Sequence, residues 1–114
     1  MKRDPRLYLQ DIAQSIEDIE SYTVGMTESE FRASRLVQDA VVRRLEIIGE
    51  AARQLPAEVR SQYPAIPWRR IVGLRNRLTH EYFGILIERI WHVIERDLPL
   101  LKEAMTTMQR DHSV

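Results

Sequence analysis

The chain contains no cysteine. That excludes disulfide staples and thiolate metal sites and makes a reducing, cytoplasmic setting the expected one. Glycine and proline are scarce, four and five among 114 residues. They are too few and too scattered for a linker, a low-complexity run or a glycine-rich phosphate loop. No uncharged apolar run approaches membrane-spanning length, and the opening residues Met1-Lys2-Arg3-Asp4-Pro5-Arg6 hold no apolar signal region. No membrane association is therefore expected. Alternating β-branched runs bounded by turn residues are missing too, which removes strands from the expected fold. Neither sign of charge is in excess, with 17 basic and 17 acidic side chains. This balance argues against broad, sequence-blind wrapping of nucleic acid but leaves room for a local basic site.

What the chain does have is helical periodicity along nearly its whole length. Its size fits one domain, residues 1–114, with a modest core. Asp4 is placed to N-cap a first helix with Pro5 at its first position. Leu9, Ile12, Ala13, Ile16 and Ile19 form one apolar stripe along it, and the segment Thr23 to Met26, with Gly25, ends it. Thr27 and Glu30 have capping-box spacing. From there one long second helix is expected to about Leu55, stopped by Pro56. One or two helical turns follow over 57–62. Pro67 can open a third helix from Trp68 to about Leu78. The last helical stretch carries Ile87, Ile90, Trp91, Ile94, Leu98, Leu101, Met105 and Met108 on one face. Pro99 lies inside it, so a kink or restart is expected, with Asp97 as local N-cap. The tail, residues 109–114, is expected to fray. The fold expected is an all-α antiparallel bundle of four to five helices with short connections.

The pattern misbehaves at one place. From Ile66 to His80 there are four arginines, Arg69, Arg70, Arg75 and Arg77, and no acid. On a helical wheel Trp68, Ile71, Val72, Leu78 and Thr79 share an arc, and Arg75 falls in its middle. A guanidinium cannot shed its charge, so it needs a partner there. Either it snorkels to water or meets a distant acid such as Glu46 or Glu50, or the arc faces a second subunit and Arg75 awaits an anionic ligand. Asn76 and His80 are four residues apart and share a helical face. Arginine offers phosphate a planar fork of donors, and histidine moves protons near neutral pH. The same spacing also describes a surface histidine near a helix end among solvated arginines.

At these residues the chain resembles a known family. Arg75-x4-His80-x-Tyr82 is similar to the Arg-x4-His-x-Tyr signature of HepT-like proteins. These are a branch of the HEPN superfamily and the toxin half of HepT–MntA toxin–antitoxin pairs. Gly73-Leu74-Arg75-Asn76, Ile47-Ile48-Gly49-Glu50-Ala51-Ala52, and Ile90-Trp91 followed by Asp97-Leu98-Pro99-Leu100 also fit the family pattern. The resemblance runs from about Tyr8 to Leu101. It implies a HEPN-like homodimeric helical bundle and metal-independent endoribonuclease cleavage of RNA, with Arg75, Asn76 and His80 as catalytic residues. It also implies that Tyr82 receives AMP from an MntA-like nucleotidyltransferase antitoxin, which silences the toxin. No cofactor and no metal are implied.

Chemistry fits that implication. Metal-free RNA cleavage needs a base for the 2′-hydroxyl, an acid for the leaving 5′-oxygen, and cations on the phosphate. The basic segment of one chain holds a single histidine, so a symmetric dimer would supply both proton-transfer roles across one cleft. Arg69 and Arg77 are candidates for RNA phosphate contacts. His80, Glu81 and His92 lack the His-Glu-x-x-His spacing of a zinc site. Tyr82 also reads as an amphipathic core tyrosine beside Phe83. Gly49 with Ala51 and Ala52 suits close helix packing, and Glu50 could orient Arg75. Trp68 and Trp91 read as core or interface anchors. A competing function is a non-catalytic HEPN-type dimer that binds a nucleotidyltransferase partner or nucleotide. Another is a structural helical dimer unrelated to RNA.

Overall fold

The computed structural model describes residues 3–81 and 87–112, with side chains described except at 79–81. All regular structure among the described residues is helical, in the order α1 (Pro5–Thr23), α2 (Glu28–Ala33), α3 (Arg35–Gln54), α4 (Ala57–Ser61), α5 (Trp68–Glu81), α6 (Ile87–His92), a π-helical turn (Val93–Asp97) and α7 (Leu98–Asp111). The all-α bundle expected from periodicity is what forms. Its four main helices are α1, α3, α5 and the continuous α6–α7 stretch. No described helix is long and apolar enough to cross a membrane.

Local signals set the first two helices. The Asp4 side chain accepts the Arg6 N–H at 2.9 Å, and Pro5 occupies the first helical position, where its missing N–H costs nothing. The helix stops where the Thr23 hydroxyl donates back to the Ile19 carbonyl and Gly25 adopts φ +71°, a conformation glycine reaches without a Cβ penalty. Thr27 and Glu30 form the anticipated capping box, each side chain accepting the other's backbone N–H.

The expected single helix from Thr27 to Leu55 is instead two. Ser34 is extended (φ −110°, ψ 94°), and its hydroxyl caps α3 by accepting the Val37 N–H. The carbonyls released at the end of α2 find a donor on the next helix: Gln38 Nε2 donates to Phe31 O at 2.8 Å and to Arg32 O at 2.9 Å. A buried amide satisfying two orphan acceptors makes the break affordable.

Helix α3 is the spine: α1, α2 and α5 all pack on it, while α7 packs on α1. Leu9, Ile12, Ile16 and Ile19 of α1 meet Val41, Leu45, Ile48 and Ala52 of α3 and Leu101, Met105 and Met108 of α7 in one buried cluster. Each fully buried side chain of this kind contributes roughly 1.5–3 kcal/mol. Phe31 and Trp91 pack ring against ring, centroids 5.3 Å apart, which ties α2 to α6.

Two further expectations need refining. Asp97 holds the N-cap position of α7 as expected, but its backbone is helical and its side chain makes no capping bond. The chain accommodates Pro99 with one widened turn between α6 and α7, the Leu98 N–H reaching back five residues to Val93 O. Asp97 instead accepts from Arg70 at 3.0 Å. Nor does the chain fray from residue 109. Helix α7 continues to Asp111, where Tyr63 donates its hydroxyl to Oδ2 at 2.7 Å and stands beside His112. That bond and burial together raise the Tyr63 pKa, burial being the larger cause. Residues 113 and 114 lie outside the described part.

Candidate functional site

The site begins with a missing side chain. Where α5 crosses α3, Gly49 faces it. A Cβ at that position would overlap Arg75 Cβ, stand 3.0 Å from Arg75 Cγ and 3.3 Å from the Ile71 carbonyl. No side chain larger than hydrogen leaves α5 this close to α3. The Arg75 stem is pressed on the α3 backbone and its head runs along the α3 surface.

There it meets the next residue. Arg75 Nη2 lies 3.5 Å from Glu50 Oε2, and Arg75 Nη1 donates to Asn76 Oδ1 at 3.1 Å. Glu50 is clasped as well by Arg53, at 2.7 Å and 3.2 Å, and by Gln54 at 3.2 Å. These donors hold the Glu50 carboxyl down at about 2, the Arg53 and Gln54 hydrogen bonds being the largest causes and Arg75 a smaller one. Glu50 is therefore a fixed negative charge at any ordinary pH. Of the two ways open to Arg75, a distant acid within the chain is the one observed. Its side chain stays 36% exposed, so the guanidinium is held yet reachable.

Asn76 is exposed on the flank of α5. Because its Oδ1 accepts from Arg75, its Nδ2 donors point away from that guanidinium. His80 lies one turn beyond Asn76 in the helical register of α5, so the backbone places it on the same face; its side chain is outside the described residues. Tyr82 also lies outside them. Arg69 and Arg77 are exposed, and no described carboxylate pairs with either. Arg70 is occupied by Asp97. Trp91 is buried against Phe31, and half-buried Trp68 donates its Nε1 to the carbonyls of Arg60 and Tyr63. Both are anchors, as expected.

Two grooves flank α5. One, about 470 Å³, separates α5 from the α6–α7 stretch; Leu45, Ile48, Ile71, Leu74 and Leu101 line it and Arg70, Arg77 and Asp97 rim it. The other, open and about 630 Å³, lies between α4 and α5 and reaches Asn76. Sequence reasoning missed Arg53 and Arg60. Arg53 carries an i,i+3 signal toward Glu50 that could have found it; Arg60 carries none. Among the described residues no three His, Asp or Glu side chains converge as a metal cage.

A family model described as "Ribonuclease HepT-like" matches residues 12–108. A Thermococcus cleftensis protein named "Probable ribonuclease HepT" is 41% identical over 102 residues, covering 90% of this chain and 93% of that one. A Methanocaldococcus jannaschii protein named "Putative RNase MJ1380" is 40% identical over 102 residues, covering 90% and 94%. A second protein from that organism, "Gamma-glutamylcyclotransferase and putative RNase MJ0434", is 43% identical over 111 residues. The match takes in 97% of this chain but only 50% of that longer relative. No solved structure matches the chain.

Proposed function

Since the chain belongs to the HepT-like ribonuclease family, we propose that it is the toxin of a toxin–antitoxin pair, a one-domain cytoplasmic endoribonuclease whose work is done by Arg75, Asn76 and His80. The observation that carries this reading is the clamped guanidinium: Arg75 is fixed between Glu50 and Asn76 Oδ1 beside the turn that bears His80.

RNA carries its own nucleophile, the 2′-hydroxyl. His80 takes or returns the proton, because imidazole is the side chain that titrates near neutral pH. Arg75 stabilises the charge that builds on the phosphate as the 2′-oxygen attacks, and the outward Nδ2 of Asn76 donates to a second phosphate oxygen. A guanidinium already oriented loses little freedom on binding, which is how positioning becomes rate. No metal is required by this scheme.

A second copy of the chain completes the site by presenting its own His80, so that one histidine acts as base and the other as acid. The half-buried state of Ile71 and Leu74 on α5, together with exposed Leu100 beside the same groove, supports a partner-covered surface. AMP placed on Tyr82 by a nucleotidyltransferase antitoxin adds bulk and negative charge two residues past His80, and both oppose RNA entry.

Cleavage of labelled RNA by the purified protein tests this. Arg75→Ala and His80→Ala should each slow it, per folded molecule, by at least about 100-fold. Equal cleavage by all three proteins, or none by the wild type, leaves the non-catalytic partner-binding dimer as the reading.

A further inference from the structure

Arg69, Gly73, Asn76 and His80 follow one another at steps of four, three and four residues, which is a single stripe along α5. The open groove between α4 and α5 runs beside that stripe. Its walls include Arg60 and Ser61 from α4 and Trp68, Arg69, Val72 and Asn76 from α5. No acid is among the described residues that line it. The groove on the other flank of α5 includes Asp97 and does not touch Asn76.

Arg60 gives the groove a second feature. Its Nε atom is buried without a hydrogen-bond partner among the described residues. A buried N–H donor left in that condition is costly, so a polar partner that came to reach it would be favoured. The wall is also fixed in place: the Arg60 carbonyl accepts Trp68 Nε1 at 3.1 Å, which ties the end of α4 to the start of α5. The groove is thus a firm channel with two guanidinium groups, leading to the amide of Asn76.

We propose that this groove is the track for the stretch of RNA flanking the scissile phosphate, with Arg60 and Arg69 against successive phosphates and Asn76 at the reactive end. This rests on the ribonuclease reading for its direction but not for its chemistry, since any single-stranded nucleic-acid backbone would meet the same two cations. Phosphate contacts position a strand without reading its sequence. The track therefore contributes affinity and register, while Arg75 and His80 supply the reaction.

The test measures binding apart from cleavage. A fluorescent 2′-O-methyl oligoribonucleotide lacks the internal nucleophile and reports binding alone; unmodified RNA reports both. Arg60→Gln and Arg69→Gln are compared with Arg43→Gln, an exposed arginine of α3 outside the groove. The groove variants should weaken binding about 3- to 10-fold at ~100 mM salt and flatten the slope of log affinity against log salt by about 0.7 each. Their KM should rise equally, with kcat within about twofold of wild type. The Arg43→Gln control should match wild type. Groove variants that bind as Arg43→Gln does, with the same salt slope, overturn the track. If the wild type binds the methylated strand through Arg60 and Arg69 yet leaves unmodified RNA intact, the track stands and the ribonuclease reading falls.

Discussion

The two faces of α3 are built on different rules. On one side it presents Val41, Leu45, Ile48 and Ala52, which disappear into a continuous apolar cluster shared with α1 and α7. Toward α5 it presents Gly49 and Glu50, and what lies on them is an arginine. The first face gains stability from area removed from water, a force without direction. The second gains precision: the absent Cβ sets how near the helices come, and the carboxylate sets where a guanidinium rests. Among the described side chains of α5 only Leu78 is buried. A helix that gives up burial to present Arg69, Asn76 and Arg77 to solvent is organised around what it must hold.

Substitutions in the apolar cluster and at the α3–α5 crossing should separate these rules. Phe31→Ala empties the ring contact with Trp91 inside the apolar cluster and should cost about 3–5 kcal/mol, lowering the thermal midpoint by more than about 10 °C in a circular-dichroism melt. RNA cleavage per folded molecule should survive it. Gly49→Ala sharpens the contrast, because two effects oppose. Alanine improves helix propensity by about 1 kcal/mol, whereas overlap with Arg75 Cβ and the Ile71 carbonyl costs about 1–3 kcal/mol. The atoms in the way belong to a stem and a backbone, so we expect net destabilisation by urea titration; a more stable variant would mean α5 does not need this approach. The smallest effect belongs to Glu50→Gln. Its carboxyl lies at about 2 in the folded chain, below the ordinary carboxylate range. Its contribution is therefore complete above about pH 4.5 and is lost as pH falls toward 2. With the side chain 39% exposed, that contribution should be about 1 kcal/mol or less. Wild type and variant should differ at neutral pH and converge in acid.

Much of the first face is legible in the sequence because its signals are local. Asp4 with Pro5, Thr27 with Glu30, and the stripes of α1 and α7 each fall within a few turns of chain. The break at Ser34 is hidden because apolar spacing continues across it, and its remedy, Gln38 bonding to Phe31 and Arg32, exists only in three dimensions. Asp97 holds the N-cap position that the sequence suggests, but its carboxylate is taken by Arg70, 27 residues away, which no local signal announces. On the second face the anomaly of Arg75 is visible in the sequence, and Glu50 is among the acids that could answer it. Which acid does so depends on the crossing of α3 and α5, and no wheel contains that. Arg60 is invisible altogether: its helix is five residues long, and its surroundings are assembled by α5.

Gly49 also acts as a notch. To slide α5 along α3 by one helical repeat, about 5.4 Å, is to bring Leu45 or Arg53 under Arg75, and both carry the carbon that Gly49 lacks. One absent methyl group thus indexes the two rods against each other, in the way a detent fixes a dial. The distance from the anchoring carboxylate to the stripe of Asn76 and His80 becomes a setting of the scaffold rather than a property of any flexible arm.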